Sequence, residues 1–251
     1  MSLARLSLIT CGLLAVWQTV VWATGVPPYI LPGPWRVARA WEAHIGVILD
    51  HTARTASEIL LGLLLGAALG AVSALAMTAF RPARLWLMPV LVVSQAVPVV
   101  ALAPLLVLWF GYGIASKVAM ATLIIFFPVT TSFLDGLRRT DPGWMDLAQT
   151  MGASQWAALR HIRIPAALPS LASGLRVAAA VAPIGAVIGE WVGSSGGLGY
   201  LMLHANARMQ VDLLFAALAT LAVLAVALYF AVDAGLRRAL PWVPETAPAR
   251  E

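Results

Sequence analysis

The sequence predicts an all-α, polytopic membrane protein with about six transmembrane helices, and three observations predict it. Of the 251 residues, 61% are hydrophobic and only 11% charged, with a mean hydropathy of +0.88. A water-soluble domain is nearer half apolar and a quarter charged. The apolar residues gather in runs of about 20, the length a helix needs to cross the hydrocarbon core. The net charge of +5 is almost all arginine, spread over the short loops between those runs, as the positive-inside rule distributes it. This excludes a soluble enzyme, a disordered chain and a disulfide scaffold. It also explains the basic balance without nucleic acid. The single Cys11, inside an apolar run, cannot form an internal disulfide.

The first run, residues 6–23, follows Arg5. Val21-Trp22-Ala23 would pass as a leader-peptide cleavage site, but the length of the run and the spans after it favour a retained first helix. The prolines of 27–34 forbid helix and predict an extended stretch. In residues 35–54, Trp41, Ile45, Ile48 and Leu49 share one side, which predicts an amphipathic helix lying in the membrane interface. Residues 1–55 thus form a first unit: one span plus a periplasmic extended and amphipathic segment.

Residues 56–240 form the core. A second span, 56–80, carries Gly62, Gly66 and Gly70 at small-xxx-small spacing, which lets helices approach closely in lipid. The third stretch, 85–110, is broken by Pro89, Pro98 and Pro104. Prolines inside a span are tolerated where the freed backbone groups are buried or line a cavity, so Ser94, Gln95 and Pro98 are candidates for a solute pathway. A fourth span covers 114–137. Residues 138–165 are too charged to span and too long for a turn. A fifth span covers 167–192, followed by the glycine-rich stretch 193–200. The sixth, 213–236, closes on Arg237-Arg238, and 241–251 reads as a disordered tail. With the amino terminus inside, Arg5, Arg81, Arg84, Arg138, Arg139, Arg160, Arg163, Arg237 and Arg238 all lie on the cytoplasmic side.

The polar segment 138–165 contains Asp146-Leu147-Ala148-Gln149-Thr150-Met151-Gly152-Ala153, then Ile162-Arg163-Ile164-Pro165. Gly152 can take a positive φ and break the helix. Ala148 and Ala153 leave a shallow surface for a partner, and Pro165 is placed to stop the second helix before the membrane. This pattern resembles the cytoplasmic motif of binding-protein-dependent ABC-transporter permeases: acidic-Ala-Ala, three residues, Gly, nine residues, Ile-x-Leu-Pro. Asp146 stands for the usual Glu, Leu147 for the first Ala and Ile164 for Leu; Gly152, Ile162 and Pro165 match. Residues 98–105 and 109–113, and 189–193 with 197–201, resemble the nitrate, sulfonate and taurine branch. Residues 181–191 with 206–208 are most similar to its thiamine-precursor (hydroxymethylpyrimidine-type) subgroup.

The resemblance implies the type I ABC importer permease fold in the bacterial inner membrane and a permease homodimer. It implies two ATPase subunits docked on the loop 138–165 and a periplasmic or lipid-anchored solute-binding protein. The implied cargo is a small solute, a thiamine-precursor pyrimidine or alternatively a sulfonate, taurine or nitrate. The chain then has no catalytic role and no cofactor of its own, ATP being bound by the partner. Consistent with this, the only lysine, Lys117, lacks a phosphate-binding loop: Gly111 is correctly spaced, but Ser116 replaces the second glycine and Val118 follows the lysine.

Two other chemistries are weighed. Gly193-Ser194-Ser195-Gly196 looks like the nucleophile turn of an intramembrane serine protease, but the later spans supply no histidine base on a separate helix. His44, His51, His161 and His204 lack metal-ligand spacing. Glu190 is the charge that stands inside a span, expensive there and so a functional candidate by default. Two copies in a dimer would disfavour an anion, and the neighbouring Trp191 could stack on a flat ring. Trp17, Trp22, Trp86 and Trp109 read as interface anchors.

Overall fold

The computed structural model describes the backbone of residues 3–243 and the side chains of residues 8–243. Apolar runs without breakers become long helices, and the loops between them are short. In chain order the helices are α1 (Leu3–Thr24), α2 (Pro34–Ala43), α3 (Ile45–Ala79), α4 (Arg81–Ala96), α5 (Val99–Phe110), α6 (Ile114–Arg138), α7 (Pro142–Thr150) and α8 (Gln155–Ala158). A π turn (Leu159–Arg163) then leads into α9 (Ile164–Gly193), α10 (Leu198–Ala207) and α11 (Val211–Ala239). Among the described residues four helices are long and apolar enough to cross a membrane: α3, α6, α11 and the continuous run Gln155–Gly193. The pair α4–α5 makes a fifth if counted as one span. Helix α1 has 22 residues, about 33 Å at 1.5 Å per residue, and its counting as a span would complete the expected six.

Helices α6 and α9 form the central pair, with α3 on the other flank of α6. The glycine stripe explains the closeness. A Cβ added at Gly66 would sit 2.7 Å from Ile125 Cγ2, and one at Gly70 would sit 3.0 Å from Val129. The α6–α9 contact is as tight: a Cβ at Gly185 would meet Ala121 Cα at 2.7 Å. Around this seam Ile59, Leu63, Ile125, Val129, Ala178 and Ala182 form a buried apolar core. Such close approach lets dispersion replace a hydrophobic drive that lipid cannot supply. Helix α1 reaches the body through Trp17, whose ring lies 5.8 Å from that of Phe215 on α11.

The structure corrects two sequence expectations, the interfacial helix and the stop at Pro165, and bears out a third. The interfacial helix of 35–54 is not one element. Helix α2 ends at Ala43, and residues 45–54 open the 35-residue α3. Ile48, expected on a lipid-lying face, is buried together with Val37 against Leu198, Leu201 and Leu213. Nothing between Ile45 and Ala79 breaks a helix as Pro would, so the chain continues through the polar stretch. The third stretch is broken at a proline as expected: α4 and α5 meet at 107°. Pro98 supplies no N–H and biases Val97 to extended backbone (φ −87°, ψ 120°). Pro165 does not stop a helix. The chain runs unbroken from Gln155 to Gly193, because the preceding turn widens to π, with Ile164 N–H donating to the Leu159 carbonyl. That widening accommodates a ring that would clash with the carbonyl four residues back. Of the expected tail, residues 241–243 form a turn and the rest lies outside the described residues.

Candidate functional site

At one end of the bundle the segment 138–165 folds as an elbow. Asp141 caps α7, its Oδ1 accepting the Gly143 N–H at 2.7 Å, with Pro142 in the first turn. Helix α7 closes in a Schellman motif: Gly152 N–H donates to Gln149 O and Ala153 N–H to Ala148 O, both at 2.9 Å. This requires Gly152 at φ +74°. Ser154 then caps α8 by accepting the Ala157 N–H. Arg163 donates through Nε and Nη2 to the Leu137 carbonyl at 3.0 and 2.8 Å, fastening the elbow to the end of α6.

The elbow's outward face differs in composition from the expected one. Asp146, Leu147 and Gly152 are exposed, but Ala148 is buried against its own chain and Ala153, Ile162 and Ile164 are half-buried. Pro165 is exposed. The surface is instead built from Trp144, Leu147, Met151 and Trp156, each more than half exposed. Trp144, Leu147 and Met151 follow helical spacing and so were legible in the sequence as one stripe. Large apolar groups exposed together on one polar segment mark a surface that another molecule covers.

At the opposite end, Glu190 is 1% exposed and faces inward. Its Oε1 accepts from the Thr55 hydroxyl at 2.6 Å, and its Oε2 from the Gly199 N–H. The Tyr200 backbone and the Glu58 carboxyl lie beside it. Thr55 Oγ1 in turn accepts the Leu198 N–H at 2.7 Å. Beside them Lys117, 1% exposed, donates to the carbonyls of Tyr112 at 2.5 Å, Gly113 at 3.0 Å and Gly193. The glycine-rich turn is thus clamped to α3, α6 and α9 by buried polar groups. The amino end of α10 meets a carboxylate, the arrangement its free N–H groups favour. His51 Nδ1 accepts the Gly197 N–H at 2.9 Å.

Sequence reading found Glu190 but missed Glu58, Thr55 and the role of Lys117. The overlooked sign was Glu58 itself, a carboxylate inside an apolar run. Asp233 pairs with Arg176 at 2.6 Å and with Arg237 at 2.8 Å; Arg176 was also overlooked. The Ser194 hydroxyl closes its own turn by donating to Gly196 O at 2.6 Å, and His51 is engaged with Gly197, so this loop assembles no serine–histidine pair.

Trp191 faces away from the clamp, into a groove of about 900 Å³ lined also by Val100, Pro183, Met202, Asn206 and Leu218. No charged residue lines it. Ser94, Gln95 and Pro98 gather elsewhere, at the α4–α5 bend, where the Ser94 hydroxyl donates to Leu91 O at 2.7 Å. The structure therefore separates the five pathway candidates into a buried Glu190, a groove-lining Trp191 and a trio at the bend.

Residues 62–243 match the family of binding-protein-dependent transport system inner membrane components. A probable ABC transporter permease protein of Haemophilus influenzae is 55% identical over 92% of this chain and 94% of its own length. The riboflavin transport system permease protein RibX of Chloroflexus aurantiacus is 41% identical over 89% and 84%. The formylaminopyrimidine transport permease protein ThiX of Halalkalibacterium halodurans is 36% identical over 92% of both chains. Among solved structures, a chain of the inward-facing methionine ABC transporter MetNI superposes with a TM-score of 0.68 at 18% identity, covering 78% of this chain and 98% of that one. The chain belongs to the binding-protein-dependent inner membrane component family, with the type I permease fold, and is a permease subunit of an ABC importer.

Proposed function

From that membership, we propose that the chain is one half of a homodimeric permease that carries a small, flat nitrogen heterocycle of the thiamine-precursor pyrimidine type. The amino terminus and the elbow face the cytoplasm. The stripe Trp144, Leu147, Met151 and Trp156 docks on an ATPase subunit, which binds and hydrolyses ATP. The clamped glycine-rich turn faces the periplasm, where a solute-binding protein delivers the cargo. Two copies of the groove complete one pathway, opened alternately to either side.

The observation that carries the substrate reading is the groove. Its wall is apolar apart from Trp191 and Asn206 and holds no cation, which suits a neutral ring that stacks and hydrogen-bonds better than a sulfonate. The paired-carboxylate argument for Glu190 is replaced, because both its oxygens are taken by its own chain. The relatives named for formylaminopyrimidine and riboflavin transport also carry flat heterocycles. The test is growth of a thiamine-requiring bacterial host on a limiting pyrimidine precursor, with and without this gene and its partner genes. Gene-dependent growth is expected, reduced at least tenfold in rate by Trp191→Ala. Equal growth in both strains, with gene-dependent use of taurine or an alkanesulfonate as sulfur source, overturns the assignment.

A further inference from the structure

Helix α4 is anchored on one side only. Leu87 and Met88 pack against the core around Met77 and Phe133 and Leu91 is buried, while Leu85, Trp86, Val90, Val92 and Val93 are exposed. The uncovered side forms a furrow of about 870 Å³ lined by Leu85, Met88, Pro89, Val92 and Val93 and headed by Arg81 and Arg84. The furrow begins at the elbow end, since Phe80 packs edge-on against Trp156 at 6.3 Å.

Among the described residues, the charges at its head have no ion-pair partner. Among the described residues the ion pairs join Arg36 to Asp212, Arg54 to Asp50, and Arg176 and Arg237 to Asp233. Arg81 and Arg84 enter none of them. Both guanidiniums are exposed, and no acidic side chain lines the furrow. Pro89 brings no N–H, so the Leu85 carbonyl, one residue past Arg84, keeps an acceptor for a headgroup hydroxyl. Two cations, then a free acceptor, then a strip of apolar side chains running into the bilayer repeat the order of a phospholipid: phosphate, glycerol, acyl chain.

We propose that this furrow is a binding site for an anionic phospholipid of the leaflet on the elbow side, with Arg81 and Arg84 holding the phosphate and Leu85 to Val93 the acyl chain. Phosphatidylglycerol is the fitting headgroup class, because it adds net charge and a hydroxyl. Juxtamembrane arginines each strengthen anionic lipid binding by about fivefold, so the pair supplies roughly 30-fold. A lipid so held covers the apolar side of α4 beside the 107° bend, the joint that connects it to α5.

The test is native mass spectrometry of the delipidated full-length protein titrated with phosphatidylglycerol or phosphatidylcholine of matched chains. The expected result is selective retention of phosphatidylglycerol, weakened roughly 30-fold in the double variant Arg81→Gln/Arg84→Gln. Arg138→Gln/Arg139→Gln, which removes two other exposed arginines outside the furrow, leaves retention unchanged. Val92→Trp, which fills the furrow and keeps the charges, lowers retention as well. Equal retention in wild type and Arg81→Gln/Arg84→Gln, or an equal loss in the Arg138/Arg139 variant, overturns the site. So does displacement of the lipid by inorganic phosphate at millimolar concentration. Spontaneous disulfide linkage of two Val92→Cys chains in phosphatidylglycerol membranes also overturns it, because a second copy would then cover the furrow.

Discussion

Gly197→Ala is the substitution for which the geometry makes the largest demand. Gly197 has φ +107° and ψ 164°, a region that only glycine occupies readily, and forcing another residue there costs about 1–3 kcal/mol. A Cβ would also strike the Glu190 carboxyl, lying 2.6 Å from Oε2, and overpacking of a tight interior costs about 1–3 kcal/mol more. The sum is roughly 2–6 kcal/mol. At about 2–4 °C per kcal/mol for a chain of this length, the unfolding midpoint falls by about 4–24 °C. The assay is thermal unfolding of the purified protein in nanodiscs, followed by intrinsic tryptophan fluorescence. Two glycines calibrate it. Gly111 has φ +77° and ψ −178°, the same glycine-only region, with open space around a Cβ, so Gly111→Ala carries the backbone cost alone, about 1–3 kcal/mol. Gly235 lies in α11 at an ordinary helical φ with nothing within 4 Å, so Gly235→Ala raises stability by about 0.5–1 kcal/mol. A midpoint for Gly197→Ala at or above that of Gly111→Ala would refute the reasoning, because the clamp would then not be closed around Glu190.

Two further outcomes test the other end of the molecule. A Cβ at Gly152 meets no neighbour, but Gly152→Val disfavours φ +74°; it is expected to lower the unfolding midpoint by about 2–8 °C while cutting solute-stimulated ATP hydrolysis of the assembled importer at least tenfold, and unaltered hydrolysis would count against the elbow as the docking surface. In a Cys11→Ala background, single cysteines at exposed Gln155 and Ser195 should react with a membrane-impermeant maleimide from opposite sides, Gln155 from the cytoplasm; Gln155 is chosen because Ser154 caps α8, and reaction of both from one side would sink the topology.

What the sequence disclosed and what it hid follow from the range of the interactions. The spans 114–137 and 213–236 were legible almost to the residue, because length and hydropathy are local sums. The glycine stripe of 62, 66 and 70 was legible too, since one helix face is a periodicity of a single chain segment. Gly152 was legible because a positive φ at a helix end is a local demand. Ala148 was misread: its burial depends on where the elbow lies against the bundle, which no spacing records. The clamp was hidden for the same reason. Thr55, Glu58, Lys117 and Glu190 stand 135 positions apart at their extremes, and only the close glycine-mediated packing of α3, α6 and α9 brings them together. The break at Pro98 was legible, whereas the unbroken run through Pro165 was not. A proline removes one donor, and whether the chain then bends or widens depends on what neighbouring helices hold in place.

The unbroken run from Gln155 to Gly193 bears on how the two ends communicate. Two short helices meeting at an angle would absorb a push on the elbow. A continuous rod of 39 residues, about 58 Å long, transmits it. Its near end starts three residues beyond Gly152, and its far end carries Trp191 in the groove and the Gly193 carbonyl held by Lys117. Yielding is confined to the π turn and to Pro169 and Pro183, where the hydrogen-bond ladder lacks donors. At the far end the clamp joins α9 to α3 and α6 through buried polar groups, and loosening any one would leave another unpaired. In the proposed importer, therefore, these three helices move as one body when the ATPases close. The relative motion that opens the groove falls on the parts outside the clamp. The α4–α5 bend is the foremost of these, joined by two extended residues, Val97 and Pro98, and packed on the core from one side only.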